Sequence, residues 1–178
     1  MKRVFRYIAG SLEKGITSEN SYKTGILECY SDADFGGCEQ TGKSTTGVVT
    51  IYSAGAISWF SQRQTIVATS TTEAELIAAS ECTREIVWLK RLFGEITRLI
   101  EIPVLHVDNT AAIRLAQNPE FHRRTKHISI KHFFVREKVL AKEVVVQKIE
   151  TENQIADIMT KPLFQPRLLS LCNKMGLT

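Results

Sequence analysis

Apolar positions along this chain fall into two rhythms, which divide it into short strands and longer helices. Val4, Phe5 and Ile8 have the spacing of a short helix over residues 2–9, and Ser11 to Thr24 reads as a polar connector. Ile26 to Ala33 reads as a strand, followed by a turn-rich segment from Gly36-Gly37 to Gly42. Val48 to Tyr52 is β-branched and aromatic, and Ala54-Gly55 separates it from Ile57 to Phe60, which predicts a hairpin. The hydroxyl cluster Thr69 to Thr72 opens a long helix running to about Phe93. Pro103 to Val107 is a short apolar strand, and Asn109 to Gln117 is helical until Asn118-Pro119. A basic helix follows from about Ile128 to Ala141, then a last strand from Glu143 to Ile149. Thr151-x-x-Gln154 has the form of a capping box for a helix that stops before Pro162, and Leu168 to Met175 forms a short helix in a polar tail. The order β-β-β-α-β-α-α-β-α predicts an α/β fold with a mixed sheet, antiparallel first and parallel afterwards, covered by helices.

Against this pattern, four acidic residues stand out. Period-two alternation in the first strand places Tyr30, Asp32 and Asp34 on one face, at the end of an apolar run where an unpaired carboxylate is costly. In the long helix, Glu75, Ala79, Cys82, Ile86, Leu89 and Phe93 fall within one stripe about 80° wide, so Glu75 aligns with the core-facing residues while Glu73 projects from the opposite face. Asp108 ends the strand Val104-Leu105-His106-Val107. It reads equally as an N-cap of the next helix or as a ligand-binding residue at the carboxyl end of a strand. Asp157 alone reads as a surface aspartate.

Together the four fit one arrangement. If the first strand and the Pro103 strand are parallel neighbours about 4.8 Å apart, Asp32 and Asp108 end side by side, and Glu75 and Asp157 reach the same point from flanking helices. Four carboxylates converging without basic partners repel and raise one another's pKa. Oxygen-only ligands suit the hard cations Mg²⁺ or Mn²⁺, and two such ions about 3.5–4 Å apart serve phosphodiester hydrolysis. The constellation reads as that of a two-metal nuclease.

Composition narrows the setting. A chain of 178 residues, 43% hydrophobic and 24% charged, suffices for one ordinary domain with a real core. It has no apolar run near the roughly 18 residues of a membrane span and no signal-peptide pattern at its start, which points to an intracellular protein. Cys29, Cys38, Cys82 and Cys172 match no zinc or redox spacing and read as free thiols. The net charge of +4 is concentrated between Pro119 and Lys138, where Arg123, Arg124, Lys126, Lys131, Arg136 and Lys138 face only Glu120 and Glu137. His122, His127 and His132 lie there too, beside Phe121, Phe133 and Phe134. Basic residues interleaved with aromatics suit a phosphate backbone, and equally a solvated helix face with its aromatics in the core.

The motifs also resemble a known family. Tyr30-Ser31-Asp32-Ala33-Asp34-Phe35-Gly36-Gly37, Lys43-Ser44-Thr45-Thr46-Gly47, Ser70-Thr71-Thr72-Glu73-Ala74-Glu75, Val107-Asp108-Asn109, Arg124-Thr125-Lys126-His127-Ile128 and the run Thr151 to Leu163 occur in order. They resemble the RNase H domain of copia-type LTR retrotransposon polyproteins over about residues 25–165. Residues 1–24 then form an N-terminal extension, because Lys2-Arg3-Val4-Phe5-Arg6-Tyr7 resembles the close of a reverse transcriptase domain, and residues 166–178 form a C-terminal tail. The resemblance implies an RNase H-like fold, a five-stranded mixed sheet flanked by helices, and Mg²⁺-dependent endonucleolytic cleavage of the RNA strand of RNA–DNA hybrids during reverse transcription.

Catalytic and metal-binding roles carry over to Asp32, Glu75, Asp108 and Asp157. Asp32 and Asp34 share a face, so the choice of Asp32 rests on the resemblance and Asp34 is the fallback. Two Mg²⁺ ions are implied, with Mn²⁺ as a substitute. Asn109, Ser44 and Thr45 become candidate contacts to the hybrid, and Arg123, Arg124, Lys126 and Lys131 hold its backbone. The implied partner is a reverse transcriptase domain upstream in the same polyprotein, in the cytoplasm, within virus-like particles, or in the nucleus. One departure is visible: cellular RNases H carry a histidine between the last strand and last helix, whereas Gln147 to Thr151 contains none. Two other readings fit the sequence less fully. One is a catalytically silent nucleic-acid or protein-interaction module derived from a retroelement. The other is DNA strand transfer, which places a glutamate where Asp157 stands.

Overall fold

The computed structural model describes residues 2–18, 25–96, 99, 101–117 and 126–178. The connector at 19–24 and the segment with His122, Arg123 and Arg124 lie outside them. Helix α1 (Lys2–Ala9) precedes three antiparallel strands, β1 (Leu27–Asp34), β2 (Thr45–Tyr52) and β3 (Gly55–Arg63). The long helix α2 (Thr71–Ile96), β4 (Val104–Val107), α3 (Thr110–Gln117), α4 (Lys126–Leu140) and β5 (Val145–Lys148) follow. A 3₁₀ turn at Thr151–Asn153 leads to α5 (Asp157–Thr160) and α6 (Gln165–Lys174). The sheet order is β3-β2-β1-β4-β5, with β1, β4 and β5 parallel, as the element order predicts.

Strand alternation sorts the core into two layers. Leu27 and Cys29 of β1, Val48 of β2 and Leu105 of β4 pack under Cys82, Ile86 and Leu89 of α2 and Val135 of α4. Tyr30, Val49 and Ile51 face the other way, against Ile155, Ala156, Leu171 and Met175. The tail is thus part of the packing: α6 covers the second sheet face through Leu171, which is fully buried. Residues 15–17 and 176–178 are joined by a backbone bridge, Ile16 opposite Leu177. The hairpin turn Ser53-Ala54 takes positive φ at both residues, the twist a two-residue connection requires, without the expected asparagine or glycine.

The capping box lies elsewhere than the Thr151–Gln154 pattern predicts. It forms at the start of α2, where Glu73 N–H donates to Ser70 Oγ at 3.1 Å. The Glu73 carboxylate in turn accepts from Thr69 N–H at 2.7 Å and Thr69 Oγ1 at 2.6 Å. Glu73 is therefore buried under its own N-terminal loop, although helix phase alone turns it away from the core. At Thr151 only a 3₁₀ turn follows, with no side-chain cap at it or at α5. The fully buried Gln154 spends its amide across the fold, donating to Ser31 O at 3.0 Å and accepting from Ala156 N–H at 3.3 Å. It ties the loop before α5 to the back of β1.

Candidate active site

Sheet register sets the site. Tyr30 of β1 pairs with His106 of β4, and two residues further on the parallel strands bring Asp32 level with Asp108. The next helix is capped by Asn109, whose Oδ1 accepts from Ala111 and Ala112 N–H at 3.0 Å each, which frees Asp108 from that role. Glu75, in the second turn of α2, accepts a hydrogen bond from the Ala33 backbone. Carboxylate oxygens of Asp32, Glu75 and Asp108 lie within 4.8 Å of one another, Asp32 and Glu75 buried and Asp108 half-buried. Glu75 Oε2 is buried without a hydrogen-bond partner among the described residues.

Asp34 stays outside this group. Its Oδ1 accepts from Thr45 N–H and closes the turn from β1 to β2. Geometry thus separates two aspartates that share a strand face. Ser44 beside it is fully buried and accepts from Gly36 N–H at 3.0 Å, so its hydroxyl shapes the turn rather than facing solvent.

Asp157 enters differently from its three partners. It is buried, and its carboxylate is held by Lys161 Nζ at 2.7 Å and by Arg167. The same ammonium lies 3.0 Å from Asp32 Oδ1, while Asp32 Oδ2 accepts from Thr160 Oγ1. The expectation of carboxylates without basic partners is therefore corrected: Lys161, four residues after Asp157 and the C-cap of α5, bridges Asp157 to Asp32. Lys161 and Thr160 could have been suspected from that spacing. Arg167 and Gln154 left no such signal. Thr151 Oγ1 also belongs to the site, donating to Asp108 Oδ2 at 3.1 Å.

The electrostatics follow this division. Burial first, then Asp32 and Asp108, push the Glu75 carboxyl up to about 9. Burial also raises Asp157, against the opposing hydrogen bond from Lys161. Burial alone would lower Lys161, but its pairs with Asp157 and Asp32 prevail and hold it above the ordinary lysine range. Three clustered hard-oxygen groups, one with an orphaned buried oxygen and a strongly raised pKa, fit a divalent cation as the missing counter-charge.

Comparison with known proteins supplies the context. No family model matches the chain. It is 37% identical over 179 residues, its whole length, to the "Retrovirus-related Pol polyprotein from transposon RE1" of Arabidopsis thaliana. It is 40% identical over 161 residues, 90% of its length, to that from transposon TNT 1-94 of Nicotiana tabacum. Its homologues are copia-type retrotransposon Pol polyproteins. The chain spans 12% of the length of each of these relatives. Among solved structures it is similar to LC11-RNase H1 in complex with an RNA/DNA hybrid, with a TM-score of 0.53 and 20% identity, covering 75% of this chain and 93% of that one. The fold is that of RNase H.

Within this Pol-type RNase H fold, the basic candidates take distinct places. Lys131 of α4 pairs with Glu81 of α2 at 3.4 Å, and Lys126 opens α4. Arg84 and Lys138 lie 6.0 and 5.9 Å from the Phe134 ring centroid. A cavity of about 210 Å³ between β2, β3, α2 and α4 is lined by Thr46, Gln62, Arg63, Arg84, Lys131 and the Glu81 that pairs with the last two, a grouping that charge counting along α4 alone could not reveal. Among the described residues no helix is long and apolar enough to cross a membrane.

Proposed function

We propose that this chain hydrolyses the RNA strand of RNA–DNA hybrids as the ribonuclease H segment of a retrotransposon polyprotein, downstream of a reverse transcriptase domain. The observation that carries this reading is the meeting of Asp32, Glu75 and Asp108 at the open end of two parallel strands. The full-length likeness to Pol polyproteins and the hybrid bound by the LC11 enzyme support it.

Asp32, Glu75 and Asp108 are the primary ligand set for Mg²⁺, with Mn²⁺ as a substitute, and Asp157 joins them for a second ion. Such ions, when bound, lower the pKa of an attacking water and stabilise the departing oxygen. The protein's own task is to present ionised carboxylates at fixed positions. Ala33 N–H orients Glu75, the Thr151 hydroxyl orients Asp108, and Thr160 orients Asp32. Gln154 anchors the loop that delivers Asp157.

Arg63, Arg84 and Lys131 line a surface suited to a phosphate backbone, and in sequence Arg123, Arg124 and Lys126 precede Lys131 in one basic segment. Asn109 and Thr45, both half-buried at the rim, are candidate contacts to the hybrid's minor groove.

The test is cleavage of an end-labelled RNA–DNA hybrid with Mg²⁺ or Mn²⁺, beside duplex RNA and duplex DNA. Cutting confined to the RNA of the hybrid, and lost in Asp108→Asn with binding retained, is expected. Cutting that persists in Asp108→Asn overturns the metal assignment. Tight binding with no cutting by the wild-type chain, alone or joined to its upstream domain, leaves a catalytically silent binding module.

A further inference from the structure

The site's negative charge is compensated on one side only. Between Asp32 and Asp157 the Lys161 ammonium lies 3.0 and 2.7 Å from their oxygens, and Arg167 takes the other oxygen of Asp157. Glu75 and Asp108 make no such ion pair among the described residues, and Glu75 Oε2 has no hydrogen-bond donor there. Asp32 belongs to both halves.

Resting on the ribonuclease reading, we infer that Lys161 is a tethered cation that competes with the second divalent ion for Asp32 and Asp157. A first ion at the triad meets Lys161 only through Asp32, whereas Glu75 and Asp108 make no ion pair with it. A second ion must draw on carboxylate oxygens already engaged by Lys161, and two cations cannot share those oxygens without strong repulsion at this range. The side chain is able to yield. It is 38% exposed, on a flexible four-carbon stem, so the ammonium can swing into water and be solvated there. Arg167 then keeps Asp157 from losing all compensation. Lys161 is thus a positioning residue that separates the two ion-binding steps in affinity.

The experiment measures Mn²⁺ binding to the full chain without substrate, by calorimetry and by the paramagnetic resonance of free Mn²⁺. Wild type, Lys161→Met, Lys161→Arg and Asp108→Asn are compared. A stronger and a weaker step are expected in wild type. Lys161→Met should tighten the weaker step by about tenfold or more, because a charge within about 4 Å of the ion is removed. Lys161→Arg, which keeps the charge, should resemble wild type. Unchanged or weakened binding in Lys161→Met overturns the inference. Retention of the stronger step in Asp108→Asn instead overturns the site reading, so the two failures are distinguishable. Should Lys161→Met not fold, the Lys161 ammonium resonance of the wild type, followed by NMR during a Ca²⁺ titration, replaces it. That resonance is expected to shift with the second step, and a signal unmoved to saturation overturns the inference.

Discussion

In the absence of divalent ions, raising the pH should weaken the fold, and Glu75 is the residue through which it should do so. The residue is 7% exposed, and its carboxyl is pushed up to about 9 by burial and then by Asp32 and Asp108. In the unfolded chain a glutamate titrates near about 4.3. Between those values the native state holds a proton that the unfolded state has released. Stability is therefore fully present below about pH 4 and is lost as the pH rises towards 9, at up to about 1.4 kcal/mol per pH unit.

From pH 6 to pH 8 the one retained proton costs about 2.7 kcal/mol, whether it sits on Glu75 or is shared across the coupled carboxylates. With a urea dependence of about 2 kcal/mol/M, the midpoint should fall by about 1 M. The assay is urea unfolding in EDTA at the two pH values, followed by the far-UV circular dichroism of the helices. Glu75→Gln, which needs no proton to stay neutral, should lose most of this pH dependence, and millimolar Mg²⁺ should flatten it in the wild type. A pH-dependent loss as large in Glu75→Gln as in wild type would refute the reasoning.

Two further substitutions probe how α5 is seated. Gly47 pairs with Asp32 across the sheet, and a Cβ there would lie 2.7 Å from Thr160 Cγ2 and 2.8 Å from Ala156 O and Met159 Cβ. Gly47→Ala should cost about 1–3 kcal/mol by overpacking, lower the Tm accordingly, and slow hybrid cleavage by displacing Asp157. An unchanged Tm would contradict that packing. Gln154→Leu should cost about 2–4 kcal/mol, because Ser31 O and Ala156 N–H lose their partner inside the core, and urea unfolding measures it directly.

Much of this protein was legible from its residues in order. Period-two runs mark β1 and β2 and a 3.6-residue stripe marks α2, because each reports which side of an element meets the core. Those patterns also select Glu75 as inward-facing and, with parallel pairing of β1 and β4 assumed, place Asp32 beside Asp108. They could not choose between Asp32 and Asp34, which share a face until a turn engages Asp34 with Thr45 N–H. Nor could they tell two similar hydroxyl-x-x-acid or amide patterns apart. Ser70 and Glu73 form a cap because a long helix follows, whereas the Gln154 amide is drawn to Ser31, 123 residues away in sequence.

Lys161 shows the boundary well. Its four-residue offset from Asp157 is written in the chain, but its approach to Asp32, 129 residues distant, exists only once α5 packs on β2. The polar tail likewise becomes core when Leu171 and Met175 meet the second sheet face. Local sequence sets where a side chain points relative to its own element. Which charge, hydroxyl or surface it then meets is decided by the packing of elements against one another.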